Sequence, residues 1–293
     1  MKAGIYGQTN IETTINYIKQ LVDTLTQYNT TIVFEKNIYN YYKDQFITNN
    51  FDTFSSYEDL DTSYDLFFSV GGDGTFLRSI TFIRDLNIPI IGINTGRLGF
   101  LATIQKENIQ EAIAEIMLKK YTIRERTLLC VCSDEKNKAL NEFNFALNEI
   151  AISRKNTASM ISVETYLDDE YLSTYWSDGL IVSTPTGSTG YSLSCGGPIL
   201  SPTSKNIVLT PIAPHSLSVR PLVIPEETKI ELKIGSRTNE AFISLDSRIT
   251  TISDTTKIFI EKCDFTVRTI LLNEQSFIKT LREKLLWGED KRN

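Results

Sequence analysis

The sequence predicts a parallel α/β domain, then a β-rich domain, then a closing amphipathic helix. Three observations carry this reading. Short apolar runs alternate with helical spacing over residues 1–121, as in a parallel sheet flanked by helices. Over 122–273, strand-like runs succeed one another through polar turns, with no amphipathic helix between them. Helical spacing returns only in 274–293, where a lone amphipathic helix must cover something, and packing back on the first domain fits. At 293 residues and 41% hydrophobic composition, the chain has enough apolar material for two cores.

Taken in order, "KAGIYG" reads as a short buried strand. Ile11, Ile15, Ile18, Val22 and Leu25 then recur at helical spacing, opened by a candidate capping box from Thr9 to Glu12. "TIVF" is a second strand, followed by a Tyr-rich helical stretch, a polar loop and the strand "DLFFSV". A helix through Leu77, Ile80 and Leu86 leads to "PIIGI", and another carries Ile109, Ile113 and Met117. The β-rich part runs through "TIRERTLLCVCS", "FNFALNEIAIS", "SMISVETYL", "DGLIVSTP", "KIELKIG", "EAFISL" and "KIFIEKC". Phe277, Leu281 and Leu285, with Trp287, form the closing helix.

Charge and cysteine usage narrow the function classes. A net charge of −6 disfavours nucleic-acid and anionic-membrane partners. No apolar run reaches membrane-spanning length, and "MKAGIYGQTN" lacks a signal-peptide layout, so a cytoplasmic protein is expected. Cys130, Cys132, Cys195 and Cys263 lack zinc-site spacing and read as reduced structural thiols. A phosphate ligand would have to be held locally, by backbone N–H groups, a few basic side chains or a metal ion.

The chemistry starts at "DLFFSVGGDGTFLRSI". A strand that stops at glycines and feeds a helix marks the carboxyl edge of a parallel sheet, where ligands bind. Gly71, Gly72 and Gly74 let backbone N–H groups approach phosphate oxygens, aided by the helix N-terminus. Asp73 among them could accept a proton, hold Mg²⁺ or simply bond its own turn. There is no G-x-x-x-x-G-K-[ST], and Leu77 replaces the last glycine of G-x-G-x-x-G, which disfavours P-loop and dehydrogenase readings.

Other stretches add to it. "GINTGRLGFL" again places glycines after a strand. In "ALNEI", Asn148 and Glu149 suit a ribose diol, but neighbouring strand residues serve one ligand only at a strand end or bulge. "SDGLIVSTPTGSTGYSLSCGGPILSP" crowds hydroxyls and glycines around Tyr191, a polar lining with one ring to stack on a base.

With these motifs in order, the chain resembles the bacterial NAD kinases over essentially its full length. "GGDGT", "NTGRLGFL", "ALNE", "SDGLIVSTPTGSTGYSLSCGGPI", "PHSLSVRPL" and "ISLDSR" carry the resemblance. It implies a Rossmann-like N-terminal domain (1–121, with 274–293 returning to it) and a β-sandwich-like C-terminal domain (122–273). It implies transfer of the ATP γ-phosphate to the 2′-hydroxyl of the adenosine ribose of NAD, a divalent cation such as Mg²⁺ whose ligands are left open, and a homodimer or homotetramer. By position, the resemblance makes Asp73 the catalytic residue. It implies that Gly72, Asp73, Gly74, Phe100, Asn148, Glu149, Asp178, Thr186, Thr189, Gly190, Tyr191, Ser194 and Asp246 contact NAD. It implies that Gly71, Gly72, Gly74 and Thr75 hold donor phosphates.

The chain departs from relatives at Trp176, where some carry a basic residue, at Ser247, where some carry histidine, and at Gly190, where alanine is commoner. Two rival readings are a lipid kinase sharing "GGDGT" and a non-catalytic NAD sensor. The first leaves Asn148, Glu149 and the 177–202 segment unexplained, and the retained Asp73 argues against the second. His215, the sole histidine, sits beside prolines and reads as structural.

Overall fold

A computed structural model describes residues 1–9, 12–45, 50–134, 137, 140, 142–156, 159–273 and 275–286. Ile11, Trp287 and part of the Thr9–Glu12 cap lie outside the described residues. The chain folds into two compact units, residues 1–125 with 267–293, and residues 126–266.

The first unit is built on a parallel sheet. Strands β1 (Lys2–Gly7), β2 (Thr31–Glu35), β3 (Asp52–Phe54), β4 (Leu66–Gly71) and β5 (Ile90–Asn94) lie in the order β3-β2-β1-β4-β5, and β6 (Ile104–Gln105) pairs with β5. Helices α1 (Glu12–Gln27), α2 (Lys36–Tyr42), α3 (Asp73–Ile83) and α4 (Ile109–Met117) alternate with them. β4 and β5 are buried at every position, as a strand covered on both faces must be. Ile18, Leu21 and Leu25 of α1 and Ile109 and Ile113 of α4 close over Ile5, Phe68, Val70 and Ile93. Helix α3 differs from the expected pattern. It stops at Ile83, because Arg84 takes φ 38° at its C-cap, so Leu86 lies past the end. Its buried stripe is Thr75, Phe76, Ser79, Ile80 and Ile83, while Leu77 is only half-buried. The order of the strands reverses between β1 and β4, which makes the loop after β4 a switch-point loop.

The second unit is a sandwich of antiparallel strands. One layer pairs β11 (Glu170–Ser177), β10 (Ile161–Leu167), β15 (Ile230–Gly235) and the first residues of β18 (Lys257–Leu272), with β7 (Tyr121–Ser133) beside β18 and β8 (Phe145–Ala146) beside β7. The other runs β14 (Leu222–Pro225), β13 (Asn206–Ile212), β12 (Gly179–Ser183), β9 (Glu149–Arg154), β16 (Glu240–Leu245) and β17 (Arg248–Ser253). Alternating residues from both layers, among them Val163, Leu232 and Ile258 against Ile152, Val182 and Ile243, share one apolar core. A single turn, α5 (Tyr191–Ser194), follows β12, and α6 (Phe277–Leu285) closes the chain in the first unit.

One expectation is overturned. Cys130 and Cys263 form a disulfide, leaving Cys132 and Cys195 as free thiols. The two partners stand on neighbouring strands β7 and β18, 133 residues apart in the chain, so spacing gave no sign of the pair. Among the described residues no helix is long and apolar enough to cross a membrane.

Candidate active site

In the first unit, β4 runs out at Gly71 and α3 begins at Asp73, with Gly72 as N-cap. The backbone at Gly72 and Gly74 faces open space, since a Cβ built at either meets nothing within 4 Å. Such a turn at a helix start offers N–H groups to an anion. Thr75 is not part of that opening. It is 2% exposed, so its side chain packs beneath the turn.

Asp73 does not point away from the protein. Its Oδ2 accepts the N–H of Phe100 at 2.9 Å, and its Oδ1 accepts those of Leu101 and Ala102 at 3.0 Å each. The carboxylate therefore ties "GGDGT" to "NTGRLGFL". The approach is close enough to require glycine at position 99, where a Cβ would stand 1.9 Å from Asp73 Oδ1. Asn94 shapes the same loop, accepting the Gly96 N–H at 2.7 Å and donating to the Arg97 carbonyl at 2.6 Å. Phe100 is half-buried.

In the second unit the sequence-predicted residues gather around the start of β9. Glu149 is its first residue and Asn148 immediately precedes it, which is the strand-end placement the pair needs. Asp246 holds this corner in place. Its carboxylate accepts the N–H groups of Leu147 (3.0 Å), Asn148 (2.8 Å) and Glu149 (3.3 Å), and its own N–H donates to the Glu149 carbonyl. It sits at φ 53° in the β16–β17 hairpin, a left-handed position aspartate tolerates. Asp246 thus supports the pair through the backbone.

Two buried polar atoms there have no partner, Asn148 Oδ1 and Glu149 Oε2. Buried polar groups are almost always bonded, so an orphaned pair side by side is a candidate ligand position. Burial, and then the nearby Asp246 charge, push the Glu149 carboxyl up to about 8, against a donated N–H from Tyr191. Burial pushes Asp246 up as well, and its three N–H donors and Arg248 counter that rise only in part. Gly190 borders the pair, and a Cβ there would lie 3.1 Å from Glu149 Oε2.

The 177–202 segment departs from its expected role as a lining of free hydroxyls. Thr184 Oγ1 donates to the Leu147 carbonyl, Ser188 Oγ to Pro185, and Ser192 pairs with Thr210. Thr186 is buried, and its carbonyl accepts the Thr189 hydroxyl. These hydroxyls build the wall, while half-buried Thr189 and Gly190 and exposed Tyr191 and Ser194 reach its surface. The Tyr191 ring is available for stacking at 44% exposure. Asp178 is ion-paired to Arg154 at 2.9 Å. Sequence reasoning missed Arg154 and Lys284, whose Nζ lies 3.8 Å from Asp73 Oδ2. It also missed Asn94, although "NTG" is a turn signal.

No group of three or more His, Cys, Asp or Glu side chains that could hold a metal ion occurs among the described residues.

Comparison with known proteins bears on this geometry. The family model for the ATP-NAD kinase N-terminal domain matches residues 4–121, and that for the ATP-NAD kinase C-terminal domain matches 147–272. An NAD kinase of Christiangramia forsetii is 52% identical over 294 residues, with 100% of both chains covered. One of Flavobacterium johnsoniae is 50% identical, also with 100% of both covered. The crystal structure of yeast NADH kinase complexed with NADH superposes with a TM-score of 0.88 at 25% identity, covering 99% of this chain and 89% of that one. An Archaeoglobus fulgidus NAD kinase in complex with ATP gives a TM-score of 0.75 at 27% identity, covering 98% and 99%. Matched in both its domains and half-identical to such relatives from end to end, the chain belongs to the ATP-NAD kinase family.

Proposed function

We propose that this protein transfers the γ-phosphoryl group of ATP to the 2′-hydroxyl of the adenosine ribose of NAD, giving NADP and ADP. The observation that carries the assignment of substrate to residues is the orphaned pair Asn148 Oδ1 and Glu149 Oε2 beside the exposed Tyr191 ring. An amide and a carboxyl that still carries its proton can each donate and accept, which suits two adjacent ribose hydroxyls. Thr189, Gly190, Tyr191 and Ser194 supply the surface for the adenine and ribose. Thr186 and Asp246 act behind them through the backbone, and Asp178 serves the nicotinamide end with Arg154. In the first unit, Gly71, Gly72 and Gly74 receive the donor phosphates on backbone N–H groups, Thr75 packs beneath them, and Phe100 covers the ring side.

Phosphoryl transfer is mostly positioning and neutralisation of charge. Asp73 fits that demand. Three N–H donors fix its carboxylate, and Oδ2, which accepts only one of them, retains room for a substrate hydroxyl. A carboxylate is a weak base for a sugar hydroxyl, so orientation is its main contribution. Mg²⁺, a small and strongly hydrated ion that is commonly held through substrate phosphates and one or two carboxylates, would enter bound to the donor phosphates.

We also assign the protein to the cytoplasm and to a homodimer or homotetramer. The exposed Trp176 and Leu217, on segments joined by the bond from the His215 N–H to the Trp176 carbonyl, support an oligomer. The test of the active-site assignment is Asp73→Asn. Turnover should fall by at least about 10²-fold, with NAD affinity within a few-fold. Wild-type turnover would remove the carboxylate from the mechanism.

A further inference from the structure

Helix α6 brings a cation to the glycine turn from the far end of the chain. Leu281 is its buried anchor, and the Phe277 ring packs 6.3 Å from that of Phe100. One turn further along this stripe stands Lys284, its Nζ 3.8 Å from Asp73 Oδ2 and 4.9 Å from the centre of the Phe100 ring. The position is doubly favourable for an ammonium, because the ring face attracts it and the last turn of a helix favours positive charge. Both side chains of the ion pair are about two-thirds buried, so solvent and salt screen the pair less than they would a fully exposed one. Without it, Asp73 would place a full negative charge among the N–H groups meant for phosphate.

We propose that Lys284 is a positioning residue for the phosphate donor: its ammonium offsets the Asp73 charge and so lets anionic phosphates settle on the Gly71–Gly74 turn. The role is electrostatic and specific to the donor. It rests on the reading of that turn as the donor-phosphate site. Ser276, Lys279, Thr280 and Glu283 form a neighbouring stripe of the same helix and line a separate cleft of about 240 Å³. Lys279 therefore serves as a control cation that does not meet Asp73.

The test is the KM for ATP and for NAD, measured side by side at low and high salt. Lys284→Gln should raise the KM for ATP about tenfold and leave that for NAD within twofold. Lys284→Arg, which keeps the charge, should stay within twofold of wild type for both, as should Lys279→Gln. The KM for ATP of the wild type should rise more steeply with salt than that of Lys284→Gln. An unchanged KM for ATP in Lys284→Gln overturns the proposal. So does an equal rise for both substrates, or an arginine variant as impaired as the glutamine one. Gly74→Val separates this from the underlying reading, since a Cβ at position 74 meets nothing within 4 Å in the fold, while the valine would occupy the phosphate position. A raised KM for ATP there with none in Lys284→Gln defeats the lysine role alone; no rise in either defeats the donor turn as well.

Discussion

The Asp246 carboxylate accepts the backbone N–H of Glu149 at 3.3 Å, while Glu149, itself only 8% exposed, leaves its carboxyl Oε2 unpartnered. One acid is bonded and holds the backbone; its neighbour is buried, with its carboxyl pushed up to about 8. Three consequences of this corner, and one of the disulfide, can be measured.

The first is a pH dependence of stability. An unfolded chain loses the Glu149 proton near the ordinary value of 4.5, whereas the native protein keeps it until about 8. Between those values the native state holds the extra proton, so this group's contribution to stability is complete below about 4.5 and is lost as pH rises to about 8. Melting temperatures of the ligand-free protein should decline across that window, and Glu149→Gln should flatten the decline. Equal slopes in the two proteins would contradict the assigned protonation.

The second concerns affinity. Removing one partner from a buried polar contact costs about 1–3 kcal/mol. Asn148→Ala and Glu149→Ala should therefore each weaken NAD binding by roughly 5- to 150-fold, at about 1.4 kcal/mol per tenfold. Calorimetric titration with NAD reads this directly. An unchanged dissociation constant in both would remove the pair from the NAD site.

How much of this was legible beforehand follows from the range of each interaction. The glycine turn and its helix were readable because strand, glycines and helix start are consecutive in sequence. The Asn148–Glu149 pair was identifiable, and its strand-end placement anticipated, for the same local reason. Lys284 was not, because it meets Asp73 only after the chain has left the first unit and returned. Nor was the Cys130–Cys263 bond, which depends on the pairing of two distant strands. The hydroxyls of 183–192 showed the right residue types, yet composition could not tell a lining from a self-bonded wall. The Leu86 expectation failed on a single backbone angle at Arg84.

The third consequence is that Asp246→Ala should destabilise the protein strongly. It leaves the N–H groups of Leu147, Asn148 and Glu149 without their acceptor, at about 1–3 kcal/mol each. Urea unfolding should show a loss of at least about 3 kcal/mol, with Asp246→Asn milder because its amide oxygen still accepts. A loss below about 1 kcal/mol in the alanine variant would show that the corner holds without it.

The fourth follows from the disulfide. Denatured, unreduced protein should show two titratable thiols, Cys132 and Cys195, and four after reduction. Reduction, or Cys130→Ser with Cys263→Ser, should lower stability by about 2–4 kcal/mol, as expected for a bond that closes a long loop. Four thiols before reduction would show the pair to be open.

The most direct test of the whole account is a coupled assay. Purified protein is incubated with NAD, ATP and Mg²⁺, and NADP is read with an NADP-specific dehydrogenase, alongside Glu149→Ala. The account predicts NADP formation that requires all three components and a KM for NAD raised in the variant with the KM for ATP little changed. Folded, NAD-binding protein that makes no NADP, or a Glu149→Ala variant with wild-type KM for NAD, would contradict it.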